Sequence, residues 1–196
     1  MKKKIFLFLK LYILDNYRAG TYLIRRYMFI IFRGVNVGSG TKLDENVKST
    51  FYAELAIGAN GYIGSDVSFE VGRLWERCGG LTIGRHIWIS RGCLLQCAGR
   101  IEIGDDVLIG EYTSIRDTQH GYERSDMVIR AQKDIVGELK IENNVWIGRG
   151  CLILGKPGGI VIGTGSIIGA NSVVTRSIPP HTVWGGVPAR FIKVRS

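Results

Sequence analysis

The sequence predicts an all-β fold, a parallel β-helix with triangular coils, on two observations. A large apolar residue returns every six positions from Ile57 to Pro180, in series that start at Ile57, Ile83, Ile103, Ile141 and Ile162. Glycine follows many of these residues, and a small or β-branched residue stands four positions later, as at Val67, Cys93 and Val107. Helices and simple strands have periods of about 3.6 and 2 residues, so a six-residue repeat indicates a stacked solenoid.

The spacing of the series indicates where the chain leaves the solenoid. Three hexads make one coil of about 18 residues, because each coil has three sides. The five starts are 26, 20, 38 and 21 residues apart, which leaves surpluses of 8, 2, 20 and 3, all after the third hexad. The insertions are therefore predicted to leave from one corner. The glycine after each apolar residue is predicted to supply the backbone angles of the turn.

Three parts are predicted: a basic segment at 1–34, the β-helix at 35–182 with a loop at 116–138, and a closing tail at 183–196. Residues 1–33 carry eight basic residues and one acidic residue, which is +7 of the chain's net charge of +9. This aromatic-rich segment is predicted to be helical. Two uses stay open, a cap on the solenoid that helps subunits assemble, or contact with an anionic membrane surface.

Several other classes are disfavoured. No apolar run reaches the roughly 18 residues of a membrane span, and no cleavage site follows the basic start. Nucleic acid is not expected, because no groove-reading motif accompanies the charge. The cysteines are predicted to be free thiols in a reducing cytoplasm, with Cys93 and Cys151 at inward positions; the four are Cys78, Cys93, Cys97 and Cys151. Cys93 and Cys97 lack a second ligand pair, so zinc is not expected.

The longest insertion, 116–138, contains His120, one of three histidines. A loop histidine can be an ordinary surface residue or a general base, since imidazole titrates near neutral pH. A base must be held in one tautomer. Asp117 is close enough in sequence to orient the ring, and a backbone carbonyl would serve equally.

The hexads, the Asp117-Thr118-Gln119-His120 pattern and the run 141–148 resemble the hexapeptide-repeat acyltransferases, such as galactoside, maltose and virginiamycin acetyltransferases. The resemblance implies a left-handed β-helix and a homotrimer with active sites between subunits. It implies acetyl-CoA as the donor, His120 as the general base and no metal. The basic N-terminus looks most like that of cytoplasmic O-acetyltransferases of bacterial surface polysaccharide or lipopolysaccharide assembly.

The run 174–193 is very similar to the closing signature of this family, in which the last coils hold coenzyme A. The resemblance implies contacts to coenzyme A from Trp146, Gly148, Arg149, Ala170, Thr175, Arg176, Arg190 and Lys193. Trp146 has a second interpretation, packing against a neighbouring subunit. The backbone N–H of Gly148 or Arg149 is a candidate donor to the oxyanion.

The acceptor side departs from the galactoside type, with Ser90 in place of an amide and Ala98 in place of a carboxylate. A free galactoside is therefore not expected, and the resemblance to the surface-polysaccharide enzymes implies a nucleotide- or lipid-linked sugar. The candidate acceptor contacts are Ser90, Tyr122 and Arg124. Two alternatives stay open: N-acetylation of a nucleotide-linked amino sugar, and a noncatalytic membrane-associated scaffold. A β-helical carbonic anhydrase needs three convergent imidazoles, and the three histidines include no close pair.

Overall fold

The computed structural model describes residues 35–51, 54–72 and 79–196. Its strands in chain order are β1 Asn36–Val37, β2 Lys42–Leu43, β3 Lys48–Phe51, β4 Glu54–Ile57, β5 Tyr62–Ile63, β6 Ser68–Val71, β7 Gly80–Ile83, β8 Trp88–Ile89, β9 Leu94–Cys97, β10 Arg100–Ile103, β11 Leu108–Ile109, β12 Ser114–Arg116, β13 Thr118–Gln119, β14 Ile135–Val136, β15 Glu138–Ile141, β16 Trp146–Ile147, β17 Leu152–Leu154, β18 Ile160–Ile162, β19 Ile167–Ile168, β20 Val173–Val174, β21 Thr182–Gly185 and β22 Arg190–Val194. A short 3₁₀ turn spans Ile129–Ala131.

Three sheets form the sides of the solenoid. Sheet I has the order β1-β4-β7-β10-β15-β18, sheet II β2-β5-β8-β11-β16-β19-β21-β22, and sheet III β20-β17-β12-β9-β6-β3. Neighbouring strands pair in parallel, except that β22 returns antiparallel to β21 at the edge of sheet II. Each coil contributes one short strand to each side. The predicted all-β solenoid of triangular coils is confirmed.

The interior is a stack of apolar residues from the hexads. The inward members of successive strands, such as Ile89, Ile109 and Ile147 of sheet II, are at most 1% exposed. Burial of each such side chain contributes about 1.5–3 kcal/mol. The positions four residues later are buried too, and the hydroxyl of Thr113 donates to the Gly148 carbonyl at 3.0 Å. Cys93, Cys97 and Cys151 are buried free thiols.

The larger excursions leave the coil at one corner, as the spacing predicts. Residues 117–137 lie between β12 of sheet III and β15 of sheet I, and 155–159 lie between β17 and β18. We call this corner III–I, and the other two I–II and II–III. Corners I–II and II–III are turns of four residues wherever two described strands flank them.

The glycine after each apolar residue has a different role from the predicted one. Gly58 and Gly84 do not have positive φ; the left-handed residue comes two positions later, at Asn60 and His86. A Cβ on Gly58 would lie 2.4 Å from the carbonyl oxygen of Gly84 in the next coil. Glycine is therefore required at positions such as Gly58 because adjacent coils approach too closely there for a side chain.

The described part of the chain contains no helix long and apolar enough to cross a bilayer. The predicted helical segment 1–34 lies outside the described residues, as do Trp75 and Cys78. In the predicted tail, β21 and β22 extend sheet II.

Candidate active site

The insertion at corner III–I is fixed at its base by Asp117. The Asp117 carboxylate accepts the backbone N–H groups of Ala98 at 2.7 Å and Gly99 at 2.8 Å. Its carbonyl accepts the N–H of Gly137 at 2.7 Å, so both ends of the loop meet at this residue. Asp117 is 1% exposed. The loop 117–137 is thus attached to the preceding coil through one buried carboxylate.

Burial also changes the pKa values of the ionisable side chains at the start of this loop. It raises the pKa of Asp117 above its usual value, although the N–H donors act in the opposite direction. Burial, with the nearby Asp117 carboxylate as a second cause, raises the pKa of the Cys97 thiol to about 12. Cys97 is therefore a protonated thiol at neutral pH, which does not suit a nucleophile.

A short hairpin carries the loop away from its base. β13 pairs antiparallel with β14, with Thr118 opposite Val136 and Gln119 opposite Ile135. Beyond it, the Gln132 side chain accepts the N–H of Arg124 at 3.0 Å and donates to the Arg124 carbonyl at 2.8 Å. It also donates to the Met127 carbonyl at 3.2 Å. One amide therefore holds the tip of the loop together.

His120 follows directly after β13, and continuing the hairpin register places it opposite Asp134. His120 Nδ1 lies 2.9 Å from Asp134 Oδ1, and the two side chains are 78% and 33% exposed. Gly121 comes next, where a Cβ would lie 2.2 Å from the Lys133 carbonyl oxygen. The absence of a side chain at Gly121 lets the two strands close beside the imidazole.

This geometry corrects the sequence-based assignment of the residue that orients His120. The sequence offered Asp117 or a backbone carbonyl to hold the ring, but the Asp117 carboxylate is occupied by Ala98 and Gly99, and Asp134 makes the contact instead. The sequence contained a usable signal. Pairing Thr118–Gln119 with Ile135–Val136 as a hairpin sets residue 134 across from residue 120.

The second group of predicted residues lies at corner II–III and on sheet II. Gly148 and Ala170 occupy adjacent coils at this corner, where a Cβ on Gly148 would lie 2.6 Å from the Ala170 nitrogen. Trp146 is the outward residue of β16 and is 52% exposed. Ser90 is at the same corner two coils earlier. The structure therefore brings Trp146, Gly148, Arg149 and Ala170 together.

The two candidate oxyanion donors differ in their hydrogen bonding. The N–H of Gly148 donates to the Ile168 carbonyl at 2.8 Å, so it is already used in stacking the coils. Among the described residues the N–H of Arg149 has no acceptor. The prediction that Gly148 could serve is therefore corrected, and Arg149 retains an available donor.

The Arg149 guanidinium lies over an aromatic ring. Arg91 and Arg149 each place their guanidinium carbon 5.6 Å from the centroid of the Tyr112 ring, within cation–π range. Neither arginine forms an ion pair with any residue in the described ranges. Corner II–III thus presents two positive charges without a neutralising carboxylate.

The remaining predicted residues are spread over two places. Thr175 and Arg176 are exposed at corner III–I, after β20. Arg190 and Lys193 lie on β22, at the outer edge of sheet II. Tyr122 and Arg124 lie in the loop; Tyr122 is 63% exposed, and Arg124 forms an ion pair with Asp126. One subunit therefore does not gather all the predicted donor-site residues at one corner.

Metal ligands do not converge in the part of the chain that the structure describes. No group of three or more His, Cys, Asp or Glu side chains there is arranged to hold an ion. The described histidines do not converge, because His86 and His181 lie at corner I–II in different coils and His120 lies in the loop at corner III–I. His86 pairs with Asp106 at corner I–II, at 3.5 Å.

Comparison with known proteins finds acetyltransferases among the relatives and among the structural neighbours of the chain. The chain is 33% identical over 138 residues to galactoside O-acetyltransferase of Escherichia coli K12, which covers 70% of this chain and 62% of that protein. A hexapeptide-repeat-containing acetyltransferase of Vibrio cholerae O1 biovar eltor, solved with acetyl coenzyme A, superposes with a TM-score of 0.58 at 27% identity over 97% of this chain and 84% of that one. The chain is therefore similar in sequence and in fold to hexapeptide-repeat acetyltransferases.

A second relative carries a name closer to the predicted pathway. The putative lipopolysaccharide biosynthesis O-acetyl transferase WbbJ of Escherichia coli K12 is 37% identical over 102 residues, covering 47% of this chain and 50% of that protein. No protein-family model matches the chain. The chain spans only 62% and 50% of the lengths of the galactoside and WbbJ enzymes.

Proposed function

We propose that this hexapeptide-repeat protein is an acetyl-CoA-dependent O-acetyltransferase that acts on a sugar hydroxyl, with His120 as the general base. The observation that carries the proposal is the contact of 2.9 Å between His120 Nδ1 and Asp134 Oδ1. A carboxylate accepts the Nδ1–H, so the lone pair is on Nε2. In the described residues no protein group occupies Nε2, which leaves it available to an acceptor hydroxyl.

The proposed reaction is direct transfer. His120 Nε2 takes the proton from the acceptor hydroxyl while that oxygen attacks the thioester carbon. The Arg149 N–H of a neighbouring subunit is the proposed donor to the oxyanion that forms, because Arg149 lies at corner II–III and the His120 loop leaves from corner III–I. When the carbon–sulfur bond breaks, His120 returns its proton to the departing thiolate, which restores the neutral imidazole. The Asp134 carboxylate stabilises the imidazolium between the two proton transfers.

The donor site is proposed at corner II–III and along the neighbouring sheet II. Trp146 offers an apolar surface there, while the unneutralised Arg149 guanidinium suits phosphate oxygens. Ala170, Arg190 and Lys193 extend this region, and Gly148 permits close approach of the next coil. Thr175 and Arg176, at corner III–I, would join the donor site only across a subunit boundary.

Assembly into a homotrimer is proposed because sheet II has an apolar outer face. The outward residues form one column across neighbouring strands: Tyr62, Trp88, Leu108, Trp146 and Ile167. Trp88, Leu108 and Trp146 are each about half exposed, at 50%, 48% and 52%. Burying such a column between subunits is favourable.

Leu108→Glu places a charge in this apolar column, so it should reduce the mass measured by light scattering from that of a trimer to that of a monomer. An unchanged mass would refute this interface.

The biological acceptor is proposed to be a precursor of surface polysaccharide or lipopolysaccharide, and the site of action the inner face of the cytoplasmic membrane. The name of WbbJ and the net charge of +7 in residues 1–33 support this. Deleting 1–33 should abolish sedimentation with vesicles that contain phosphatidylglycerol. Equal sedimentation of the full chain and the deletion variant would refute the membrane contact.

Turnover assays with matched hydroxy sugars and amino sugars as acceptors distinguish O-acetylation from N-acetylation.

The central test is turnover of acetyl-CoA by the full chain with a panel of sugars. His120→Ala should lower kcat by about 10²- to 10⁴-fold, as for loss of a general base, while coenzyme A binding persists. His86→Ala is the matched control, because His86 also pairs with an aspartate but lies at corner I–II. Near-normal turnover of His120→Ala would exclude the proposed base, and no transfer by the unaltered chain to any sugar would favour the scaffold alternative.

A further inference from the structure

The outer face of sheet III lies between the two places where acceptor contacts are predicted. Ser90 is at corner II–III, at one end of the strands, and the loop with His120 leaves from corner III–I, at the other. A row of three polar residues crosses this face on β6, β9 and β12, with Glu70 beside Gln96 and Gln96 beside Arg116. We call Glu70, Gln96 and Arg116 the polar row.

The members of the polar row differ in whether their polar atoms have hydrogen-bond partners. Gln96 Nε2 donates to Glu70 Oε2 at 3.1 Å. Arg116 is half-buried, and its Nε is buried without a hydrogen-bond partner among the residues that the structure describes. No carboxylate in the described ranges forms an ion pair with Arg116. The adjacent Asp117 carboxylate is directed to Ala98 and Gly99.

A second unsatisfied group stands beside Arg116. Ser114 lies two residues earlier on the same strand and the same face, and its buried hydroxyl has no hydrogen-bond partner within the described part of the chain. A buried donor that is left unpaired costs free energy, so two such groups on one strand indicate that a ligand supplies acceptors. Both are within six residues of His120 in the sequence.

The surroundings fit a sugar ring. Half-buried leucines flank these groups on the neighbouring strands, with Leu94 and Leu152 beside Ser114 and Leu154 beside Arg116. Ligand sites combine apolar surface with a few placed polar groups, and a pyranose presents both C–H faces and hydroxyls. The face therefore offers packing for a ring and donors for its oxygens.

We propose that Arg116 binds an oxyanion carried by the acceptor sugar, with Ser114 as a further donor and the polar row as a determinant of acceptor choice. The Nε–Nη edge of a guanidinium donates two parallel hydrogen bonds to a carboxylate or phosphate. The inference rests on the proposed function and specifies its substrate class: an acidic or phosphorylated sugar rather than a neutral one.

Direct binding tests this without relying on turnover. Isothermal titration calorimetry of the full chain would compare methyl galactoside, methyl galacturonoside and galactose 1-phosphate. The unaltered protein should bind at least one anionic sugar about 10- to 100-fold more tightly than the neutral one, and Arg116→Gln should remove that preference. The galacturonoside and phosphate arms distinguish a carboxylate from a phosphate. Arg100→Gln is the charge-matched control, because Arg100 lies on sheet I and pairs with Glu102.

Two results would overturn the proposal: equal affinity of the unaltered protein for all three sugars, and an anionic preference that persists in Arg116→Gln. If the preference persists and Arg116→Gln also loses oligomeric mass, a second copy of the chain supplies the oxyanion that Arg116 binds. If Arg116→Gln does not fold, Arg116→Lys replaces it in the binding experiment, because lysine keeps the charge but lacks the Nε–Nη edge that donates two parallel hydrogen bonds. Anion binding without any acetyl transfer would retain this site and reject the proposed function.

Discussion

The interior of the solenoid and the loop 117–137 are stabilised in opposite ways. The interior repeats one contact many times, so that residues such as Ile89, Ile109 and Ile147 are buried by the same positions of adjacent coils. The loop has contacts that occur once each. The Asp117 carboxylate fixes its base, Gln132 its tip, and Asp134 the imidazole of His120.

This difference separates stability from chemistry. A repeated interior is cooperative and is shaped mainly by apolar contacts between coils, whereas a loop with few buried apolar groups must be positioned by specific hydrogen bonds. Changes in the interior should therefore alter unfolding, and changes at the loop tip should alter turnover. Asp117 belongs to both regions, because it is buried in the corner and also closes the loop.

The largest effect is expected where the two regions join. Asp117→Ala leaves the N–H groups of Ala98 and Gly99 without an acceptor and opens the loop base, so it should lower the free energy of unfolding by about 2–5 kcal/mol. Urea unfolding followed by circular dichroism measures this. Asp117→Asn keeps one acceptor oxygen and should cost less. A loss under about 0.5 kcal/mol for the alanine variant would mean that the loop base does not depend on this carboxylate.

A smaller effect, confined to chemistry, is expected at the orienting residue. Asp134→Asn should lower turnover about 10- to 100-fold, because an amide no longer holds the Nδ1–H tautomer or stabilises the imidazolium. Its urea midpoint should match that of the unaltered protein, since Asp134 is on the loop. Asp106→Asn, which disrupts the other aspartate–histidine pair at corner I–II, is the control. Equal turnover of the two variants would argue against a role for Asp134.

The two regions also differ in how far the sequence predicts them. The hexad period places inward residues such as Ile89, Ile109 and Ile147, and it places the corner of the insertion 117–137, because the same steric requirement recurs in each coil. The glycines were predicted to serve the backbone angles of the turns, and this was wrong. Gly58 is needed because its coil lies so close to Gly84 of the next coil, and that approach depends on how coils stack and not on a single turn. In the loop nothing repeats, so the sequence found His120 but assigned its partner by nearness along the chain. The partner, Asp134, is set by a hairpin register fourteen residues away.

The smallest effect concerns the buried thiols. Burial raises the pKa of Cys93 to about 11, from 9.0 for an exposed thiol. Stability from this thiol is fully present below pH 9.0 and is lost as the pH rises through about 11, because only the unfolded chain ionises readily in that window. Cys93→Val places at this position the residue that Val67, Val107 and Val145 provide in other coils. We expect the unaltered protein to lose about 1 kcal/mol more unfolding free energy than the variant between pH 8.5 and about 10.5, in urea titrations under reducing conditions. Titration of lysines and tyrosines is common to both proteins and cancels in the difference, so parallel pH profiles would show that Cys93 ionises as readily in the folded interior as in the unfolded chain.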